Sequence, residues 1–235
     1  EDYPGYECFG YERMMPKLNT QNPEVVEYFC GVCQYWLKEY DIDGWRLDVA
    51  SEINDAFWES FHQAAKEVNP DAILIGEVWE TACHWLDGKK FDSTMNYDFR
   101  KHCRRFFGDR SIDAFEFDSR VTNMRMRYRA QTVYAQLNLL DSHDVSRFLS
   151  LCDNDRKRYK LAVLFQMTFP GIPSVFYGDE MGISGILEEE YRAPMKWKEE
   201  NEDLFSFYKK AIALRRDYEA LRHGKYRTVQ AEQGS

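Results

Sequence analysis

Residues 44–50 have the sequence GWRLDVA, in which apolar and charged side chains alternate as they do along a β-strand with one buried face. Trp45 and Leu47 would pack beneath helices, and Arg46 and Asp48 would share the opposite face. A cation and an anion two residues apart form a structural ion pair about as often as a functional one. If both point into a common interior, Arg46 should keep Asp48 ionised, and an ionised, positioned carboxylate can act as a nucleophile.

Two further segments place a carboxylate after an apolar, strand-like run. Residues 72–79 carry Glu77, and burial near another carboxylate would raise its pKa, as a general acid requires. Residues 135–140 lead into the Ser-His-Asp run that contains His143 and Asp144. Taken alone, Glu77 fits a surface glutamate beyond its strand. His143 alone fits a loop histidine, a metal ligand or a group that hydrogen-bonds a substrate.

Charge and composition narrow the classes of partner. The chain has 235 residues, a formal net charge of −9 and 16% aromatic residues. A negative net charge disfavours nucleic acid or an anionic membrane as a partner. The sequence has no run of 18 apolar residues, so no transmembrane helix is expected. Aromatic side chains fill cores, and they also stack on the apolar faces of sugar rings.

Six cysteines are distributed along the chain, and two of them, Cys30 and Cys33, lie in a predicted amphipathic helix. No second Cys-x-x-Cys pair accompanies them, so the sequence predicts buried free thiols rather than a zinc site. Free thiols favour a reducing compartment, and we therefore expect a cytoplasmic location.

Predicted helices and strands alternate along the chain after a loop over residues 1–21. Strands are predicted over residues 45–49, 72–79, 91–97, 135–140 and 172–177. Helices are predicted from Asn22-Pro23-Glu24 to Asp43-Gly44 and over residues 54–68, 99–129, 155–169 and 203–222. This alternation implies βαβ units, a parallel sheet and an α/β fold. The carboxylates follow three different strands, which is where a (β/α) barrel carries its active site.

The first predicted helix carries a stripe of apolar residues at helical spacing, and we expect this stripe to be buried. Its members are Val25, Phe29, Val32, Trp36 and Tyr40, with Cys33 and Leu37 widening it.

Five stretches resemble signature regions of the α-amylase superfamily of glycoside hydrolases, family thirteen, and they occur in the same order. They are MPKLN at 15–19, GWRLDVA at 44–50, GEVW at 76–79, LDSHD at 140–144 and GIPSVFYGDE at 171–180. The chain is most similar to the group of neopullulanases, cyclomaltodextrinases and maltogenic amylases, for which the first stretch looks like a marker. The resemblance extends from about Tyr3 to about Arg227.

The resemblance implies a role for each carboxylate. Asp48 is implied to be the nucleophile, Glu77 the general acid/base and Asp144 the transition-state stabiliser. Arg46 is implied to position Asp48, and His143 to hydrogen-bond the sugar in the cleavage subsite. The pattern of the strands agrees, because a retaining mechanism needs one ionised and one protonated carboxyl, typically about 5–5.5 Å apart.

The same resemblance implies a set of substrate-binding residues at neighbouring subsites. These residues are Trp79, Glu52, Lys17 and Asn19. Two positions depart from the group's pattern, since Ser51 stands where Asn is usual and Glu80 where His is frequent. Both belong to outer subsites, so they bear on linkage and chain-length preference rather than on the chemistry.

The implied fold is a partial (β/α)8 TIM barrel. Residues 1–235 would form the C-terminal part of the catalytic barrel domain, with strands similar to its fourth to eighth. The first three strands, with an Asp…Asn-His signature on the third, and the C-terminal β-domain would lie outside these residues. The open edges of such a partial barrel invite pairing with another chain, so we expect a homo-oligomer and an inactive isolated segment.

The expected function is that of a retaining α-glucan hydrolase that cleaves α-1,4- and α-1,6-glucosidic bonds in oligosaccharides or α-glucans. Two alternatives stay open: a relative acting on α-1,6 linkages, sucrose or trehalose-type substrates, and an inactive amylase-like scaffold. The intact carboxylate set argues against decay of the site. No cofactor and no catalytic metal are expected, since a retaining mechanism needs neither. Any structural calcium ion would be held by segments outside these residues.

Overall fold

The expected alternation of strands and helices is present in the computed structural model, which describes residues 5–197 and 202–234. The strands are β1 (Gly44–Leu47), β2 (Ile73–Gly76), β3 (Ser93–Asn96), β4 (Leu137–Leu139) and β5 (Ile172–Ser174). The α-helices are α1 (Pro23–Glu39), α2 (Asp55–Val68), α3 (Tyr97–Cys103), α4 (Ala114–Met126), α5 (Ala130–Ala135), α6 (Phe148–Leu151), α7 (Arg156–Thr168), α8 (Glu188–Tyr191), α9 (Glu202–Asp217) and α10 (Ala220–His223). The predicted α/β class is confirmed, with strands shorter than the sequence suggested.

The chain divides into two compact units, residues 1–95 and residues 96–235. In the first unit, β1 pairs with β2 and β2 pairs with β3, in both cases in parallel. Leu47 lies opposite Gly76 at the last position of the β1–β2 pairing. The two strands therefore end at the same edge, and the residue that follows β1 lies next to the residue that follows β2.

The apolar face predicted for β1 is buried against helices of the first unit. Leu47 is 7% exposed, and the Trp45 ring meets the Phe61 ring of α2 edge-on at 6.1 Å. An asparagine caps the N-terminus of each of these helices, Asn22 for α1 and Asn54 for α2. In both, the side-chain oxygen accepts a backbone N–H of the first turn. These caps satisfy donors that a helix N-terminus otherwise leaves without a partner.

In the second unit, β4 pairs in parallel with β5, and Leu139 lies opposite Ser174. Helices α3, α4, α7 and α9 supply most of the core of this unit. Phe99 and Phe148 are fully buried in it. Among the described residues, no helix is long and apolar enough to cross a lipid bilayer.

Two expectations about the helices were wrong in part. The predicted stripe of α1 includes Trp36 and Tyr40, but these side chains are 41% and 58% exposed and contact each other, with ring centroids 4.6 Å apart. The buried line of α1 runs instead through Cys33 and Leu37, because only that side of the helix faces the core. The expected helix over 99–129 is interrupted: α3 continues into a π-helical turn at Arg104–Gly108, and residues 109–113, which are not helical, precede α4.

The loop expected over residues 1–21 is present in the part of it that the structure describes. Residues 5–21 contain a short 3₁₀ turn, Phe9–Tyr11, and an isolated bridge between Cys8 and Pro16. Residues 1–4 lie outside the described residues.

Gly76 provides a test of the packing at the end of β2. A Cβ atom at this position would stand 2.5 Å from Cδ2 of Phe91, which is itself 2% exposed. Gly76→Ala should therefore lower the free energy of unfolding by about 1–3 kcal/mol through overpacking.

Gly31→Ala in α1 is the matched control, because a Cβ there meets nothing within 4 Å. It should raise the free energy of unfolding by about 0.5–1 kcal/mol through helix propensity. Urea denaturation of both variants measures the difference, and equal midpoints would contradict the close packing of Phe91 on Gly76.

Candidate active site

The Arg46 guanidinium bridges two carboxylates at the ends of β1 and β2. Its Nη1 contacts Asp48 Oδ1, and its Nη2 lies 2.8 Å from Glu77 Oε1. The alternation along β1 predicted that Arg46 and Asp48 share a face, and this contact confirms it. The structure adds that the same cation also holds Glu77, which draws two of the predicted catalytic residues together.

The two carboxylates occupy different environments. Glu77 is 3% exposed, whereas the Asp48 side chain is 72% exposed. The plainer interpretation of Glu77, a surface glutamate beyond its strand, is therefore wrong. A buried carboxylate needs hydrogen-bond donors, and Glu77 Oε2 accepts the Val49 N–H at 2.9 Å.

Backbone hydrogen bonds fix the segment that carries Asp48 to the segment that carries Glu77. The Glu77 N–H donates to Leu47 O at 2.8 Å, and the Ala50 N–H donates to Glu77 O at 3.1 Å. Val49, between them, has φ 42° and ψ 43°, a left-handed conformation that is uncommon for a β-branched residue. This turn is what aims the Val49 N–H at the Glu77 carboxylate, so strained backbone and buried side chain support each other.

Three of the predicted substrate-binding residues lie together in the first unit. Lys17 Nζ is 2.7 Å from Glu52 Oε2, and both residues line a polar cavity of about 440 Å³ together with Asn19. The Lys17 ammonium, which donates to the carboxylate, holds the pKa of Glu52 below its usual value, and the Gly10 N–H adds to this effect. This cavity is therefore lined by charged and amide side chains, and two of the charged ones, Lys17 and Glu52, are held in place by their ion pair.

The remaining substrate-binding residue, Trp79, follows Glu77 by two positions and is 51% exposed. An exposed indole beside a carboxylate suits stacking against a sugar ring. The two positions that depart from the group's pattern lie nearby in sequence: Ser51 is half-buried and Glu80 is exposed.

Two further residues of the predicted set, His143 and Asp144, lie in the second unit. His143 Nε2 lies 3.0 Å from Asp144 Oδ2, and the Asp144 N–H donates to Ser142 Oγ at 3.2 Å. Arg192 holds both residues, since its Nε donates to His143 O at 2.7 Å and its Nη2 lies 3.2 Å from Asp144 Oδ1. The third arm of the guanidinium, Nη1, reaches Glu188 Oε1 at 3.2 Å.

No pattern in the sequence pointed to Arg192. It lies 48 residues from Asp144 and follows the short helix α8, in a segment with neither strand nor helical periodicity. Within residues 5–197 and 202–234, no three His, Cys, Asp or Glu side chains are grouped so as to hold a metal ion.

The profile of a family described as Alpha amylase, catalytic domain, matches residues 5–202 of this sequence. The chain belongs to this α-amylase family. It is 46% identical over 242 aligned residues to neopullulanase 2 of Thermoactinomyces vulgaris, an alignment that covers 99% of this chain and 41% of that relative. The solved structure of a cyclomaltodextrinase matches it with a TM-score of 0.95 at 43% identity, and the match covers 98% of this chain and 40% of that one.

A third relative has been solved with a ligand. The cyclic α-maltosyl-(1→6)-maltose hydrolase of Arthrobacter globiformis, in complex with maltose, matches with a TM-score of 0.90 at 34% identity over 95% of this chain and 51% of its own. The expected resemblance to neopullulanases and cyclomaltodextrinases is thus confirmed, and so is the partial TIM barrel. The chain spans 41% of the neopullulanase and 40% of the cyclomaltodextrinase it matches.

Arg46→Lys tests whether one cation must serve both carboxylates. An ammonium is a compact point charge and lacks the fork that lets a guanidinium face two acceptors, so one carboxylate loses its partner. We expect the free energy of unfolding to fall by about 1–3 kcal/mol, chiefly because Glu77 is buried.

Arg216→Lys is the control, because the Arg216–Asp217 pair is exposed on both sides and should contribute less than about 0.5 kcal/mol. Urea denaturation compares the two variants. If Arg46→Lys lowers the free energy of unfolding no more than Arg216→Lys does, the Arg46 bridge does not stabilise this part of the site.

Proposed function

We propose that this chain supplies the catalytic carboxylates of a retaining α-glucan hydrolase, with Asp48 as nucleophile and Glu77 as general acid/base. The observation that carries the proposal is the Arg46 bridge between an exposed and a buried carboxylate at the ends of adjacent strands. One guanidinium in contact with both groups favours the short separation of about 5–5.5 Å of a retaining mechanism over the ~6.5–9.5 Å of an inverting one.

The reaction follows from these two environments. Asp48, open to solvent, attacks the anomeric carbon while Glu77 protonates the glycosidic oxygen, and the bond to the leaving sugar breaks. A glycosyl ester on Asp48 remains. Glu77, now ionised, takes a proton from water, the water oxygen attacks the same carbon, and the ester is cleaved with overall retention. Asp144, steered by His143 and Arg192, would stabilise the positive charge that develops on the sugar ring.

The proposed substrates are α-glucans and their oligosaccharides, with α-1,4 and α-1,6 linkages both in range. Support comes from the relatives, which are named neopullulanase, cyclomaltodextrinase and cyclic α-maltosyl-(1→6)-maltose hydrolase, and the last of which was solved with maltose. We assign Lys17, Asn19 and Glu52, around their polar cavity, to an outer subsite.

The free thiols of this chain support a reducing, cytoplasmic location.

The roles of Asp48 and Glu77 can be separated by the leaving group of the substrate. In the complete natural chain that contains these residues, Asp48→Asn should lower kcat/KM by at least about 10³-fold on both maltotriose and maltosyl fluoride, since an amide cannot form the ester. Glu77→Gln should cost about 10²–10⁴-fold on maltotriose. It should spare formation of the ester from maltosyl fluoride, because fluoride leaves without protonation.

Asp71→Asn and Glu59→Gln are matched controls, since both carboxylates are exposed and lie in the same unit. Steady-state and burst-phase kinetics on the two substrates provide the measurement. If Glu77→Gln lowers kcat/KM equally on both substrates, Glu77 is not the general acid. If Asp48→Asn turns over substrate at a near-wild-type rate, Asp48 is not the nucleophile. A complete chain without turnover on either substrate would favour the inactive scaffold.

We also propose that residues 1–235 form the later part of the catalytic barrel, with strands corresponding to its fourth to eighth. An apolar groove of about 430 Å³ runs beside β1 and is lined by Phe29, Val32, Trp45 and Phe57 among others. Among the described strands, β1 pairs with β2 alone. A parallel barrel closes only when further strands meet such an edge.

The isolated 235-residue chain should therefore self-associate and lack hydrolytic activity, because its open edge and apolar groove need a partner. Light scattering across a wide range of concentration and an assay on maltotriose, with the complete natural chain as the reference, test both statements. A monomer at all concentrations would contradict the edge pairing. Turnover equal to that of the complete chain would show that the other strands are dispensable.

A further inference from the structure

A second carboxylate pair, Asp141 and Asp179, lies in the interior of the second unit, away from solvent. Each of the two residues is 3% exposed, and they lie near enough for the charge of Asp141 to raise the pKa of Asp179. Two buried carboxylates can hydrogen-bond to each other only when one of them carries a proton. Neither residue has a role in the chemistry proposed above, although Asp141 stands three positions before Asp144.

The hydrogen bonds around the pair indicate where the proton lies. Both oxygens of Asp179 already accept an N–H: Oδ1 from Arg147 Nη1 at 2.9 Å, and Oδ2 from the Phe176 backbone at 3.2 Å. Asp141 Oδ1 accepts the Phe148 N–H at 2.7 Å. Among the described residues, no N–H or hydroxyl donor reaches Asp141 Oδ2, which is buried. A proton on Oδ2 would turn this atom into a donor towards Asp179.

The charges that face the pair are compatible with a single negative charge. Arg147 is fully buried and directs Nη1 at Asp179, while the Phe176 ring covers its guanidinium at 4.1 Å. Arg100 also faces Asp141, but its Nε and Nη2 donate to backbone carbonyls rather than to a carboxylate.

The other titratable groups around the pair are neutral or turned elsewhere. The Tyr159 and Tyr208 hydroxyls bond each other at 2.7 Å, and burial raises the pKa of each well above its usual value. Burial also raises the pKa of Cys152 to about 12. Glu180 accepts the Gly178 N–H. Burial raises the pKa of both Asp141 and Asp179, and that of Asp179 the more, so a proton is retained within the pair. The N–H groups that already occupy both oxygens of Asp179 favour Asp141 as the residue that carries it.

Arg147 connects this pair to the segment that carries Asp144. Its Nε donates to Tyr191 O at 3.1 Å, its Nη1 donates to Tyr177 O at 2.7 Å, and its backbone N–H donates to Gly185 O at 2.9 Å. The residue after Tyr191 is Arg192, which contacts Asp144. Arg147 therefore links the segment that follows β4 to the segment that follows β5 and carries Arg192.

We propose that Asp141 is protonated on Oδ2 and donates to an ionised Asp179, and that this singly charged pair seats Arg147 as a positioning residue for Asp144. The positioning role rests on the function proposed above, whereas the proton assignment does not. The proton assignment has a clear alternative, in which both carboxylates are ionised and each is balanced by an arginine.

Asp141→Asn separates these two states. An amide NH2 in place of the protonated oxygen can donate to Asp179 in the same way, so this variant should unfold at a urea midpoint close to that of the wild type. Asp179→Asn removes the charge opposite the buried Arg147 and places an amide where two N–H groups need acceptors. It should raise the unfolding equilibrium constant at least about 10-fold. With both carboxylates ionised, Asp141→Asn would instead remove a needed charge and be strongly destabilised or fail to fold, which would overturn the proposal.

The dependence of unfolding on pH gives a second readout. A carboxyl whose pKa is raised by folding keeps its proton in the folded state and loses it on unfolding, so stability falls as the pH rises from about 4 towards the raised pKa. In that window the unfolding constant of the wild type should rise up to 10-fold more per pH unit than that of Asp141→Asn. Identical slopes would overturn the assignment. Infrared spectroscopy should show the C=O stretch of a protonated carboxylic acid in the folded wild type at neutral pH, and its persistence in Asp141→Asn would overturn the assignment to that residue.

Activity tests the positioning role alone. In the complete natural chain, Asp141→Asn should keep kcat on maltotriose within about 3-fold, and Asp179→Asn should lower kcat at least about 10-fold with a smaller change in KM. Equal kcat for the two variants would overturn the positioning role. If the wild-type chain hydrolyses no glucan, the proposed function fails, and the infrared and unfolding results still decide the proton.

Discussion

Two carboxylates at the ends of neighbouring parallel strands repel each other, and the Arg46 guanidinium is what holds Asp48 and Glu77 close. The register makes this contact unavoidable, because Leu47 lies opposite Gly76 and the next residue of each strand must meet the other. A guanidinium suits the position, since its planar fork presents N–H groups to two acceptors at once. The pairing of β1 with β2 and the placement of Arg46 on the polar face of β1 thus create the site together.

The same geometry gives the two carboxylates unequal surroundings. Glu77 ends the inner of the two strands, is buried, and takes a backbone N–H from the turn at Val49. Asp48 leaves the outer strand towards solvent. A nucleophile must be reached by its substrate, whereas an acid/base needs a fixed direction for its proton, and these needs match the exposed and the anchored group respectively.

Local patterns predicted the parts of this molecule that depend on neighbours in sequence. The alternation over residues 44–50 predicted which face of β1 is polar, and the Asn22-Pro23-Glu24 start predicted where α1 begins. The buried face of α1 was less well predicted, because Trp36 and Tyr40 continue the apolar stripe but point away from the core. Arg147 and Arg192 were missed altogether. Each has backbone carbonyl or carboxylate partners 30 or more residues away, and no periodicity in sequence encodes a contact between irregular segments.

The two units solve one electrostatic problem in two ways. In each, an arginine contacts at least one of two neighbouring carboxylates, whose like charges disfavour each other. Where Asp48 is open to water, one cation can serve both groups. Where Asp141 and Asp179 are buried, a second ionised group would cost more than one cation returns, so a proton replaces the missing charge. Access to solvent thus determines whether a cation alone can balance such a pair or a proton must be shared within it.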